Sequence, residues 1–500
     1  MNKYTIFLVF SIIPFLLSCG EEKITPESPH EEPVKISSIS VSPDDISMSV
    51  GMSRQLEATV SPSSYKDYTF SWSSSQPSVA SVNEGLVTAH AVGTAVITVS
   101  TMGKEAQCRV TVKESSIKVS FKSSDAPGLK STGGIVNISI NTKADWKITS
   151  DESWISASPT TGNNGNNDVV LTTKENTSGK DRVAQMTISS GDEYYTFSVK
   201  QRANVFSRTK VASGKVTNGV KLTYSGTRFT RIYVVLPRPV TNNYQDISNF
   251  KATGSTLADC PDMINHYIWK DAKTTSIPES GNLIIEEIFD ANVYNVTVDF
   301  SKITDIPEYD PQSEECKNYL KKEKNGLIDP TNSKIASTAE SLWKQSNNDI
   351  IEYARKCHEW TNTNIKYGNL NTGLHTIAEL MSTMTGDCGN YSSVFISLLR
   401  AKGIPARHVV MVHGKEDEFH VRAEFYVPTY GWIPADPTWG SQYFGVFTGD
   451  YIVTAQGINN VVRGPDGKDY NADLLQTCYF WCWYQTEGTY SFTHTCTGLK

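Results

Sequence analysis

The chain has no long run of basic residues, and its net charge is -7, so it shows no electrostatic footprint for nucleic acid. It also lacks an apolar run of the roughly 20 residues needed to cross a bilayer comfortably. The longest such stretch, Tyr4 to Leu17, falls short of that. No glycine loop of the phosphate-cradling kind is present, and no cysteine–histidine spacing matches a common zinc site. The group Cys478, Cys482, His494 and Cys496 has the right residue types but not the spacing. Cofactor-free and metal-free chemistry is therefore the expectation. The nine cysteines are odd in number, so they cannot all pair within one chain. At 500 residues the chain exceeds what one core supports, and roughly 100–200 residues per domain implies three or four.

What is present begins with an export signal. Lys3 supplies the positive start, the apolar stretch follows, and it ends in Leu16-Leu17-Ser18-Cys19-Gly20. This resembles a bacterial lipobox, which implies cleavage after residue 18 and lipid on Cys19. The acidic pair Glu21-Glu22 resembles a signal for the outer surface of a Gram-negative cell. The expectation is an outer-membrane lipoprotein facing the exterior or the periplasm, with residues 19–34 as a Pro- and Glu-rich linker. Export also makes disulfides an option for the remaining cysteines.

Residues 35–113 alternate in short runs separated by turn residues, which predicts a β-sandwich. The order Ser71-Trp72-Ser73, Val79-Ala80-Ser81-Val82, Gly85-Leu86-Val87 and Gly93 to Val99 resembles a group 2 bacterial immunoglobulin-like (Big) domain. That resemblance implies a stalk or spacer, with Trp72 in its core. Residues 117–202 predict a second all-β unit, with Trp146, Trp154, Asn176, Arg182 and the closing strand Phe197 to Gln201. Their order resembles a BACON domain, a family proposed to bind carbohydrate or mucin. The two tryptophans are read first as core residues. Residues 205–305 predict a third β-sandwich, with strands at Leu222 to Ser225, Arg231 to Pro237 and Val293 to Phe300. A hairpin is expected across Trp269 and Gly281. No chemistry is apparent there, and a docking or gating role fits its place before the last module.

From residue 310 to 500 an α+β module is expected. Ser333 to Gln345 and Asn348 to Trp360 carry apolar residues at helical spacing, with Asn347 or Asn348 as cap of the second helix. The segment Thr385-Gly386-Asp387-Cys388-Gly389-Asn390-Tyr391 leads into a third helix whose apolar stripe is Val394, Phe395, Leu398 and Leu399. Cys388 thus falls in the first turn, where unpaired N–H groups and the helix dipole favour a thiolate and offer part of an oxyanion hole. Further on, His420, Arg422, Glu424 and Tyr426 alternate with Val421, Ala423, Phe425 and Val427, which predicts a strand with the second set in the core. A neighbouring strand ends in Asp436. A carboxylate there can hold the far nitrogen of His420 and stabilise its imidazolium.

A thiol, an imidazole and a carboxylate in this arrangement suffice for covalent acyl transfer. Gly386-Asp387-Cys388, Leu399 to Arg407, His420, Gly431-Trp432 and Asp436-Pro437-Thr438 resemble the transglutaminase-like superfamily, a papain-type group. The resemblance spans about residues 335–445 and implies that Cys388, His420 and Asp436 are the catalytic residues. Arg422 departs from the aromatic residue common at that place. The function expected is an exported, lipid-anchored cysteine hydrolase, a peptidase or amidase, working through a thioester on a peptide or protein amide. The alternatives are a protein-glutamine transglutaminase and a non-catalytic surface protein that binds glycan or protein. Trp439, Tyr443 and Arg422 are expected at the substrate, with Phe444 as a further wall residue and Tyr367 near the cleft. His408 and His413 are the rival bases.

Overall fold

A computed structural model describes residues 36–500, except 65, 67, 122–128, 192, 261–263, 274, 276, 279, 369–372, 415–417 and 450. The expected signal peptide, Cys19 and the expected linker to residue 34 lie outside the described residues. The chain divides into two compact units, before and after residue 115. Strands dominate its first three domains, and helices appear in the last.

The first unit is a β-sandwich. Its larger sheet runs Asp45–Ser49, Lys104–Lys113, Gly93–Thr101, Ser71–Ser74, and the first pair is parallel. Alternate residues Ile97, Val99, Cys108 and Val110 are fully buried, as a half-buried strand requires. Trp72 packs partly buried against this core.

The second unit opens with another sandwich of two four-stranded sheets. Trp146 and Trp154 are both core residues. Gly162 lies so close to the Trp146 ring that a Cβ there would sit 2.6 Å from it. Arg182 covers the Trp154 ring at 4.4 Å.

The third sandwich differs from the sequence expectation in two ways. His266–Lys273 and Gly281–Val298 do not form a hairpin. The former pairs with Arg228–Pro237 and the latter with Phe206–Ser225, in opposite sheets. Moreover, the sandwich is not closed by residue 305. Tyr479–Thr486 adds to the edge of one sheet beside Arg228–Pro237, and Thr489–Thr497 adds to the other beside Phe206–Ser225. The boundary expected at 310–500 is therefore corrected: the last two strands belong to the preceding sandwich. Pairing over more than 200 residues of sequence leaves no local signal, because alternation marks a strand but not its partner.

Among the described residues, the final module has five α-helices: α1 (Glu314–Tyr319), α2 (Ser333–Gln345), α3 (Ile350–Asn364), α4 (Ile377–Thr383) and α5 (Cys388–Arg400). Asp349 caps α3, its side chain accepting from the Glu352 N–H. Asn347 and Asn348, expected as caps, instead take left-handed φ values of 51° and 63° in the turn between α2 and α3. Asparagine tolerates that conformation better than other non-glycine residues. Past its first residue, α5 is buried along its whole length. It packs with α2 and α3 against a four-stranded antiparallel sheet ordered Gly431–Ala435, Phe419–Val427, Ala406–His413, Tyr451–Gln456.

Both faces of that sheet are covered. Ala423, Phe425 and Val427 join the helical core. The polar face is covered as well: Glu424 is fully buried and takes hydrogen bonds from Tyr244 Oη at 2.5 Å, Arg407 Nε at 2.6 Å and Gln456 Nε2 at 2.7 Å. Tyr244 comes from the third sandwich, so that sandwich and the final module share this buried polar layer. Among the described cysteines, Cys108, Cys316, Cys357, Cys388, Cys478, Cys482 and Cys496 are free thiols. Cys478 and Cys482 pack against one core of the third sandwich and Cys496 lies in another, while His494 Nε2 meets Asn218 Oδ1 at 2.8 Å.

Candidate active site

Helix α5 starts at Cys388 because Asp387 caps it, with the carboxylate accepting from the Asn390 N–H at 3.1 Å. The first N–H groups of the helix have no acceptor within it, so they point at whatever approaches the sulfur. Asn390 ties the surrounding loop to this turn. Its Oδ1 accepts from the His375 N–H at 2.8 Å and its Nδ2 donates to Asp387 Oδ1 at 2.8 Å.

The His420 imidazole lies between two partners: its Nε2–H donates to Asp436 Oδ2 at 2.7 Å, and Cys388 is close enough to act on its charge. A carboxylate can only accept, so the proton on Nε2 is assigned and Nδ1 is left for the sulfur. Burial works against the imidazolium, yet the hydrogen bonds and charges of Asp436 and Cys388 outweigh it and raise His420 to about 9. Asp436 is fully buried. Burial would raise its pKa, but the His420 hydrogen bond and the charges of His420 and Arg422 hold it below the ordinary value. Of the three residues singled out in the sequence, His420 and Asp436 are hydrogen-bonded to each other, and Cys388 lies beside the imidazole in the wall of a cleft.

Other expected residues lie elsewhere. Arg422 does not line the cleft at Cys388: its side chain is 5% exposed and sits 3.0 Å from Asp436 Oδ2. Trp439 is 53% exposed and its ring centroid is 6.4 Å from that of Tyr443, but neither lines the cleft at Cys388. Phe444 is buried in the helical core. His408 lies under α5, with Nε2 at 3.1 Å from Ser393 Oγ and 3.3 Å from the Gly389 carbonyl. Its burial lowers it to about 3, so it is a neutral structural residue. His413 packs its ring on Tyr451 at 5.2 Å.

The cleft has a volume of about 350 Å³, with Cys388 in its wall. Tyr367, Leu374, Phe419, Val421, Leu474 and Gln476 are among its other lining residues. Tyr367, expected near the cleft, is 66% exposed there.

Three supporting residues escaped the sequence reading. His358 and Asn362, one turn apart on α3, grip the backbone around the carboxylate. His358 Nε2 meets the Asp436 carbonyl at 2.8 Å, and Asn362 Nδ2 donates to the Thr438 carbonyl at 3.0 Å. Their i, i+4 spacing, which puts both on one side of the helix, was the available signal. Gln476 Nε2 donates to the carbonyls of Met411 at 2.9 Å and His420 at 3.1 Å. No local pattern announces it.

Known proteins agree with this layout in part. A model described as transglutaminase-like superfamily matches residues 336–437. The BACON model, described as "Putative binding domain, N-terminal", matches 144–202, and the model of the bacterial Ig-like domain (group 2) matches 35–112. An uncharacterized protein of Haemophilus influenzae is 29% identical over 123 residues, which is 19% of this chain and 33% of that protein. The match thus spans about a third of that relative's length. A Cytophaga hutchinsonii structure named "Putative Cysteine Protease" is 13% identical, covering 59% of this chain and 92% of its own, with a TM-score of 0.41. A Bacteroides ovatus GH5 xyloglucanase is 30% identical over 17% of this chain and 18% of its own, with a TM-score of 0.15. By its sequence matches, the chain carries a group 2 bacterial Ig-like domain, a BACON domain and a transglutaminase-like core, in that order.

Proposed function

We propose that this chain is a lipid-anchored cysteine hydrolase of the outer membrane that cleaves peptide or other amide bonds outside the cytoplasm. The observation that carries this reading is the continuous path from the Cys388 thiol through the His420 ring to Asp436, opening on a cleft. The Cys388 thiolate attacks the amide carbonyl carbon and forms a C–S bond. The oxyanion faces backbone N–H groups of the first turn of α5. His420 delivers its proton to the leaving nitrogen as the C–N bond breaks, which frees an amine and leaves a thioester. Water then attacks the thioester, His420 takes a proton from it, and the acid and thiol are regenerated. The Cys19 lipid anchors the chain, and the Big and BACON domains precede the catalytic module as spacers, with glycan binding by the BACON domain as an added contact at the cell surface.

Treating the native chain with iodoacetamide at neutral pH tests the site. Peptide mapping should find Cys388 modified well ahead of the other thiols, with His420→Ala abolishing the advantage. Equal modification of native and denatured protein would rule out an activated thiol. Incubation with cell-wall peptides, mucin and gelatin, with and without a primary amine, then identifies the product by mass. Free acid supports hydrolysis, and amine incorporation supports cross-linking instead.

A further inference from the structure

The register of the two strands beside the site explains the place of Arg422. Ala423 pairs with Ala435, so one step further sets Arg422 opposite Asp436, with His420 two residues along. Arg422 Nε lies 3.0 Å from the same Asp436 Oδ2 that accepts from His420 Nε2 at 2.7 Å. Nη2 donates to the Thr448 carbonyl at 2.8 Å, while Nε and Nη1 have no hydrogen-bond partner among the described residues. The guanidinium rests on the rings of Phe447 at 4.8 Å and Tyr451 at 5.6 Å. It is therefore present chiefly as a charge. Glu424, the next carboxylate on that face of the strand, is already occupied by Arg407, Tyr244 and Gln456.

Charge accounting gives this placement a purpose. When His420 hands its proton to the leaving amine, the imidazole becomes neutral. Asp436, fully buried, would then be a lone carboxylate, which is costly. Arginine cannot lose its proton at any relevant pH. With Arg422 counted, thiolate, imidazolium, carboxylate and guanidinium sum to zero, and so do thioester, neutral imidazole, carboxylate and guanidinium. We propose that Arg422 is a positioning residue of the catalytic set, a permanent counter-charge that holds the Asp436 carboxylate ionised and aimed at His420 while the imidazole is neutral. This rests on the Cys388–His420–Asp436 reading above.

Among the described residues, the groups around the pair are His420 and Glu424 on the same strand, Cys388 on α5 and His358 on α3. Tyr451 lies directly against the guanidinium, and His413, Arg407 and Tyr244 lie beyond these groups. Removing a positive charge here makes every neighbouring acid harder to ionise and every neighbouring base easier to protonate. Each shift is upward in pH.

The test is the pH profile of Cys388 alkylation by iodoacetamide in the full chain. Arg422→Met and Arg422→Gln should each move the profile to higher pH by about one unit, and Arg422→Lys, which keeps the charge, should restore most of the wild-type position. A merely structural arginine would lower the melting temperature and leave the profile in place. Folded Met and Gln variants with the wild-type profile would overturn the proposal. If neither neutral variant folds alone, stability decides: Asp436→Asn strands the guanidinium, so Asp436→Asn/Arg422→Met should be more stable than Asp436→Asn, and the reverse order overturns the proposal. Failure of wild-type Cys388 to alkylate selectively would instead strike the catalytic reading itself.

Discussion

His358 on α3 reaches the backbone carbonyl of Asp436 at 2.8 Å, so a helix more than seventy residues upstream sets the position of the carboxylate that orients His420. Burial keeps His358 neutral, lowering it below the ordinary histidine value. It therefore serves as a donor. His358→Ala leaves a buried carbonyl unpaired and should cost on the order of 1–3 kcal/mol of stability. Alkylation of Cys388 should slow as Asp436 loosens. Urea unfolding and alkylation rates together check this, and a variant as fast as wild type would show that the helix contact is irrelevant to the site.

The three residues of the path should differ in how much each removes. Cys388→Ala leaves no nucleophile and should abolish turnover. His420→Ala should lower it by roughly 10³-fold or more, and Asp436→Asn by a comparable factor, because the amide no longer fixes the ring's tautomer. Turnover of whichever peptide the product screen identifies provides the measurement.

His420 also links stability to pH. Its folded value is about 9 against an ordinary 6.5. A raised value stabilises the fold fully below the unfolded pKa, and that contribution is lost as pH climbs from 6.5 to 9. Unfolding free energy should therefore fall across that window by on the order of 1–3 kcal/mol. The fall should shrink in Cys388→Ala, which removes one of the two partners raising the imidazole. Denaturant melts at several pH values would detect it.

Glu287 is a separate liability. It is fully buried between strands of the third sandwich, its Oε1 accepts from Asn218 Nδ2 at 2.8 Å, and its Oε2 has no hydrogen-bond partner among the described residues. Burial raises it to about 8. The stability it permits when protonated is lost as pH rises from 4.5 to 8. Glu287→Gln cannot ionise, so at pH values above that window it should be more stable than wild type, by on the order of 2 kcal/mol. Equal melting temperatures there would show that the carboxyl is compensated by another route.

Truncation tests the corrected domain boundary. A chain ending before Tyr479 loses the edge strand of each sheet of the third sandwich. Phe229, Ile232 and Val220, now nearly inaccessible to solvent, would lose their cover. Such a chain should be insoluble or protease-sensitive, even though the segment matched by the transglutaminase-like model, 336–437, is intact. Limited proteolysis of the two chains side by side would settle it.

Local pattern determined much of this protein from sequence alone. The alternation around Trp72 and Trp146 marks sandwich strands, the apolar stripe of α5 marks a buried helix, and the placing of Cys388 in its first turn follows from Asp387 before it. These features depend on neighbours within a few residues, where side-chain period and capping chemistry act directly. Even Asp436 could be assigned to His420, because adjacent antiparallel strands share a face. Tertiary structure decided the rest. The return of Tyr479–Thr497 to a sandwich begun at Phe206, the covering of Glu424 by Tyr244, the grip of His358 on the Asp436 carbonyl and the turning of Arg422 onto Asp436 all join residues distant in the chain or set by strand register. Such contacts depend on which surfaces meet once the cores have formed, and the identity of a side chain alone does not specify its partner.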